Sequence, residues 1–133
     1  MSTSIVYYSG NLRTESTHIE SGENYITDAP TDNQGKGKAF SPTDLIATSL
    51  ANCMLTIMGI IAKRESLQIE GTRAEVTKIM GKNPRCISEI KIDFQFPRDY
   101  GDEQKKLLEE GALNCPVAKS LSANLIQTIN FYY

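Results

Sequence analysis

Ser41-Pro42-Thr43-Asp44-Leu45-Ile46-Ala47-Thr48-Ser49-Leu50-Ala51-Asn52-Cys53 is the stretch whose reading decides the fold. Ser41 stands where an N-cap belongs, Pro42 at the first helical position and Asp44 where a capping-box acid belongs, a strong helix start. Behind it the chain is apolar on almost every side: Leu45, Ile46, Ala47, Leu50, Ala51, Cys53, Met54, Leu55, Ile57, Met58, Ile60 and Ile61. A helix of that kind is either a membrane span or the centre of a core. Thr48, Ser49, Asn52 and Thr56 interrupt the run, and one isolated span suits an otherwise soluble chain poorly. The reading is a buried central helix ending near Lys63-Arg64-Glu65.

Upstream, Ile5-Val6-Tyr7-Tyr8, Thr14 to Ile19 and Tyr25-Ile26-Thr27 are β-prone runs separated by turns at Ser9-Gly10-Asn11 and Ser21-Gly22-Glu23-Asn24. They predict a small antiparallel meander. Ala29 to Lys38 is rich in turn formers and reads as a surface loop. Downstream, Thr72 to Met80 and Ile87 to Phe96 alternate apolar and polar residues, which predicts a hairpin with one wet face. Asp102 to Gly111 reads as a charged amphipathic helix closed by Gly111. A short helix opens at Cys115-Pro116 and runs to about Asn124, and Leu125 to Tyr133 is a closing strand. The fold class is α+β, one domain over residues 1–133 with helices packed against antiparallel sheet.

The 133 residues are 40% hydrophobic and 23% charged, which excludes disorder, collagen and coiled coil. A net charge of −2 leaves no basic footprint for nucleic acid. Met1-Ser2-Thr3-Ser4-Ile5 lacks the charged and apolar regions of a signal peptide, and three cysteines at irregular spacing do not make a disulfide framework. The expectation is a cytoplasmic protein with reduced thiols.

Zinc is set aside, because three cysteines and His18 include no Cys-x₂-Cys pair. Gly35-Lys36-Gly37-Lys38 lacks the spacing of a phosphate-cradling loop and reads as a flexible loop. Cys53 lies within the most apolar helix, where a free thiol is ordinarily a small hydrophobe. Cys115 precedes Pro116 at a helix start, where backbone N–H groups favour a thiolate. Cys86, beside Arg85 in the hairpin turn, reads as incidental. A buried nucleophilic cysteine needs a cation, and a guanidinium stays charged when desolvated. Arg13 is the candidate, held by a carboxylate such as Asp44. Asp44 serves equally well as the capping acid, and the two roles are not exclusive.

The stretch from Ser41 to Cys53 resembles the helix of the OsmC/Ohr family: a Pro, an acid, an apolar pair, small residues and then a reactive Cys. Asn114-Cys115-Pro116-Val117-Ala118-Lys119-Ser120 resembles the second-cysteine motif of the same family. The order of elements agrees over essentially the whole chain. The resemblance implies an intertwined homodimer, with sheets from both subunits wrapped around two long central helices, and a thiol peroxidase acting on organic hydroperoxides. It makes Cys53 the peroxidatic thiolate, Cys115 the resolving thiol and Arg13 the activating cation. It also implies no cofactor, no metal and an external dithiol reductant. In the hydroperoxide-resistance branch a Glu directly follows the Pro; here Thr43 stands there and the carboxylate is Asp44, so the diverse OsmC-like branch is the nearer match. Met54 and Met58 read as core ahead of a substrate pocket. A ligand-binding or structural dimer of the same fold, its cysteines serving as core residues, is the alternative from another class.

Overall fold

A computed structural model describes all residues, Met1 to Tyr133, and the chain groups into two compact units, Met1–Leu45 and Ile46–Tyr133. In the first, strands β1 (Ser4–Gly10), β2 (Arg13–His18) and β3 (Asn24–Asp28) form the expected antiparallel meander in the order β1-β2-β3. The β1–β2 turn is sharp because Gly10, Asn11 and Leu12 all take positive φ, at 95°, 54° and 63°. Gly and Asn reach that region at little cost, which is why Gly10-Asn11 marks the turn.

The stretch after β3 is the expected surface loop, its residues mostly exposed. It contains a single 3₁₀ turn at Thr31–Asn33 and folds back on itself. Gly35 N–H donates to Pro30 O at 2.9 Å and Gly37 N–H to Ala29 O at 3.3 Å. Gly35 packs so closely that an added Cβ would lie 1.6 Å from Ala29 O. Backbone hydrogen bonds satisfied within the segment replace those it would otherwise make to water.

The helix α1 (Pro42–Arg64) starts and stops where its caps and basic last turn place it. It is the spine of the second unit, but it is not buried all round. Ala47, Leu50, Ala51, Met54, Met58, Ile61 and Ala62 form the buried stripe, at the spacing of one helix face. Ile46 and Ile60 stay 43% and 60% exposed. With 23 residues α1 is long and apolar enough to cross a bilayer, as a long core helix also is.

Strands β4 (Arg73–Gly81) and β5 (Cys86–Gln95) form the predicted hairpin, and β6 (Ile126–Tyr132) joins β5 as the third strand. The last pairing corrects the expectation of a purely antiparallel sheet. β6 runs parallel to β5, with Glu89 opposite Ile126 and Gln95 opposite Tyr132. Parallel neighbours need a crossover of about a dozen residues or more, and α2 (Asp102–Leu113) with α3 (Pro116–Ser120) supplies it. The inner face of the sheet places Ile90, Ile92 and Phe94 against Leu50, Met54 and Met58 of the core, all at 0% exposure. Phe94 stacks on Phe131 at 5.4 Å between ring centroids, and Phe96 on Tyr133 at 4.6 Å.

The helix α2 runs two residues past Gly111, so that glycine is not its cap. It is there for close approach: an added Cβ would lie 2.2 Å from Ile61 Cδ1 on α1. The helix α3 ends at Ser120, short of the expected Asn124.

Candidate functional site

The second unit carries three free thiols in three environments. Cys53 is half-buried on α1, at the edge of the stripe that runs through Leu50 and Met54. Cys115 is 1% exposed and is the N-cap of α3, its extended backbone (φ −66°, ψ 155°) turning the chain into Pro116. Cys86 is exposed at the first position of β5, opposite Gly81.

The fold brings Cys53 and Cys115 together although 61 residues separate them in the chain. Cys53 packs against the buried cluster that includes Cys115, and the two thiols are close enough to influence each other's ionisation. Burial pushes the Cys115 thiol above its ordinary pKa and the neighbouring Cys53 sulfur adds to the effect; the N–H groups of Ala118 and Val117 act against it. Cys115 is therefore a neutral thiol at neutral pH. Beside the pair, a cavity of about 410 Å³ is lined by Ile46, Ser49, Pro116, Val117, Ser120 and Leu121. Ser49 is one helical turn before Cys53 and Pro116 follows Cys115, so this largely apolar groove is lined by neighbours of both cysteines although neither sulfur lines it. Met54 and Met58 lie in the core at 0% exposure, away from solvent.

Asp44 does not hold Arg13. Its Oδ2 accepts from Ser41 N–H at 2.9 Å while its own N–H donates to Ser41 Oγ at 3.1 Å, a reciprocal capping box at the start of α1. Thr43 Oγ1 lies 3.2 Å from Ser41 Oγ in the same turn. The carboxylate on Arg13 is Asp28: Arg13 Nε donates to Oδ1 at 2.7 Å and Nη2 to Oδ2 at 2.8 Å. Register explains the choice, because Arg13 and Asp28 are directly opposite on β2 and β3. The parallel fork and the low exposure of Asp28, 3%, make this a specific pair.

Hydrogen bonding from Arg13 holds the Asp28 carboxyl below the usual carboxylate range; burial opposes this, while the Arg13 charge, the Lys38 backbone N–H and the charge of Lys36 reinforce it. A carboxyl with a depressed native pKa stabilises the fold above its unfolded value of about 4. That contribution is lost as pH falls through the lower native value. Asp28→Asn is therefore expected to flatten the acid limb of a stability–pH curve from urea titrations between neutral and strongly acidic pH. Equal acid slopes for Asp28→Asn and wild type would count against the pair.

Sequence reasoning missed Asp28, Lys36 and Lys38. Once the turn at Gly10–Leu12 fixes the hairpin, counting back along β2 and β3 finds the first. The other two depend on the folded loop. No three His, Cys, Asp or Glu side chains converge to hold a metal ion.

A family described as OsmC-like protein matches residues 35–129, most of the chain. A crystal structure from Psychrobacter arcticus 273-4, of a protein named for osmotic stress induction and a detoxification response, is 52% identical and superposes with a TM-score of 0.96, covering 99% of this chain and 96% of that one. An organic hydroperoxide resistance protein OsmC from Legionella pneumophila, at 16% identity and a TM-score of 0.74 over 100% of this chain and 98% of its own, shares the fold. So does an organic hydroperoxide resistance protein from Vibrio cholerae with captopril in one active site, at 15% identity and a TM-score of 0.74 over 98% and 92% of the two chains. No curated protein matches the chain by sequence search. The capped apolar helix, the two sheets and the Cys-Pro turn that meets that helix are thus those of a known group, and the chain belongs to the OsmC-like family.

Proposed function

We propose that this protein is a thiol-dependent peroxidase that reduces organic hydroperoxides, with hydrogen peroxide as a second substrate, in oxidative-stress defence. The observation that carries the reading is the packing of half-buried Cys53 on α1 against the buried cluster that holds Cys115, which brings the two thiols into one neighbourhood. In this reading the Cys53 thiolate attacks the outer peroxide oxygen. An S–O bond forms, the O–O bond breaks, and the alkoxide leaves as the alcohol after taking up a proton, with Cys53 left as a sulfenic acid. Cys115 then attacks the sulfenic sulfur; the S–S bond forms, and the departing hydroxide takes the thiol proton and leaves as water. The neutral Cys115 thiol described above supplies that proton. An external dithiol restores both thiols by exchange.

Arg13 is the cation we assign to the thiolate, since a guanidinium keeps its charge in a desolvated setting. Asp28 takes the holding role expected of Asp44. The apolar groove lined by Ser49 and Pro116, neighbours of the two cysteines, supports an organic body on the peroxide. The chain is read as one OsmC-like domain that works in the cytoplasm as a homodimer. Exposed apolar side chains support the dimer: Ile46 and Ile60 on α1, and Val6, Tyr7 and Tyr8 on β1, the last three 59%, 70% and 67% exposed.

The test is a steady-state assay with a dithiol reductant, comparing tert-butyl hydroperoxide with hydrogen peroxide. Cys115→Ser is expected to consume one equivalent of peroxide and then stall, with a sulfenate at Cys53 that dimedone traps. Wild-type turnover by Cys115→Ser would remove its resolving role. A non-catalytic binding dimer would consume neither peroxide.

A further inference from the structure

Lys36 and Lys38 have no part in the thiol chemistry, yet the loop that carries them forms the wall of a pocket. A cavity of about 250 Å³ in the N-terminal unit is lined by Ser9, Asn11, Arg13, Asp28, Lys36 and Lys38, together with the Gly10 backbone. Its walls are fixed from both sides. The three positive-φ residues, Gly10 to Leu12, shape one rim, and Ala29 N–H donates to Leu12 O at 3.1 Å. The other rim is the loop packed at Gly35 directly against Ala29, leaving Lys36 and Lys38 beside Asp28.

Charge and donor geometry define what would fit. Arg13 and Lys36 act on Asp28 through their charge and Lys38 through its backbone N–H, all three residues lining the pocket, and Arg13 already neutralises that carboxylate. The pocket therefore keeps an excess of two positive charges from Lys36 and Lys38. Arg13 meets Asp28 through Nε and one hydrogen of Nη2. A planar guanidinium has five N–H donors, so both hydrogens of Nη1 and the second of Nη2 remain on the edge turned away from Asp28. The Arg13 side chain is 37% exposed, so solutes can reach it. A carboxylate ligand would match only one of the two excess charges, whereas a phosphoryl dianion matches both and offers oxygens to the guanidinium edge and the two ammonium groups at once. The volume equals roughly eight waters' share of liquid, more than a bare phosphate fills.

We propose that this pocket binds a phosphoryl group, borne by a small molecule or as the free ion, through the open edge of Arg13 and the ammonium groups of Lys36 and Lys38. Asp28 is the positioning residue that aims the guanidinium. The site lies within residues 9–38 and shares Arg13 with the peroxidase reading, but Lys36 and Lys38 belong to it alone, so the lysine variants test it separately from the thiol chemistry.

The test is titration of the whole protein with inorganic phosphate and with phenyl phosphate, each against chloride at matched ionic strength, followed by calorimetry and by amide shifts in a ¹⁵N spectrum. Saturable binding is expected, with shifts concentrated at Asn11, Gly35, Lys36 and Gly37. The double variant Lys36→Ala/Lys38→Ala should weaken it about tenfold or more. Lys63→Ala/Lys82→Ala, with the same change in net charge, should leave it unchanged. Tighter binding of phenyl phosphate assigns the site to a monoester, and tighter binding of phosphate to the free ion. The absence of saturable binding, an equal loss in both double variants, or shifts outside these segments would overturn the proposal.

Discussion

Cys53→Ser is expected to lower the rate of hydroperoxide consumption by roughly a hundredfold or more, the scale on which losing a nucleophile acts. Serine keeps the size of the side chain but not the thiolate, and only the thiolate attacks an O–O bond at useful speed. Cys53 is half-buried at the edge of the core stripe, so the exchange of sulfur for oxygen should leave the urea midpoint close to that of wild type. Lost activity with retained stability would identify a reacting group. Wild-type activity in Cys53→Ser would place the chemistry elsewhere, and parallel loss of activity and stability would mark a packing role.

The largest stability effect is expected at Phe94. Its ring is fully buried, stacks on Phe131 at 5.4 Å and belongs to the cluster with Leu50, Met54 and Met58. Phe94→Ala removes transfer free energy and leaves a cavity between the sheet and α1, a loss of about 3–5 kcal/mol. For a chain of this size that is a large share of total stability. The check is the urea midpoint of the variant against wild type. A loss below about 1 kcal/mol would mean that the ring is not held between sheet and helix as described.

The parts of the fold legible in the sequence were those set by neighbours in the chain. Ser41, Pro42 and Asp44 encode the start of α1 locally, and the capping box forms as its pattern predicts. The alternation along β4 and β5 likewise needs no knowledge of the rest of the molecule. What stayed hidden depended on distant pairing. The parallel β6 follows from the length and path of the crossover, not from its own residues. Gly111 read as a cap because nothing nearby shows Ile61 pressing on it.

The same division runs through the site. Cys115 was marked by its place before Pro116, and Cys53 by the helix that carries it. Their proximity is a property of the fold, which packs Cys53 of α1 against the buried cluster that includes Cys115. Asp44 and Asp28 were separable only by register: a carboxylate three residues after a Ser is drawn to the helix cap, while one opposite Arg13 on the adjacent strand meets its fork. Lys36 and Lys38 sit in a segment whose composition suggests only a loop, and their convergence on Asp28 depends on backbone bonds within that loop.

The most direct test of the central claim is to add one equivalent of tert-butyl hydroperoxide to the fully reduced protein without reductant, then map the cysteines by alkylation and peptide mass. The expected product is a Cys53–Cys115 disulfide with Cys86 still alkylated as a free thiol and the peroxide consumed. Three free thiols with the peroxide intact, or a disulfide that includes Cys86 in place of either partner, would contradict the account.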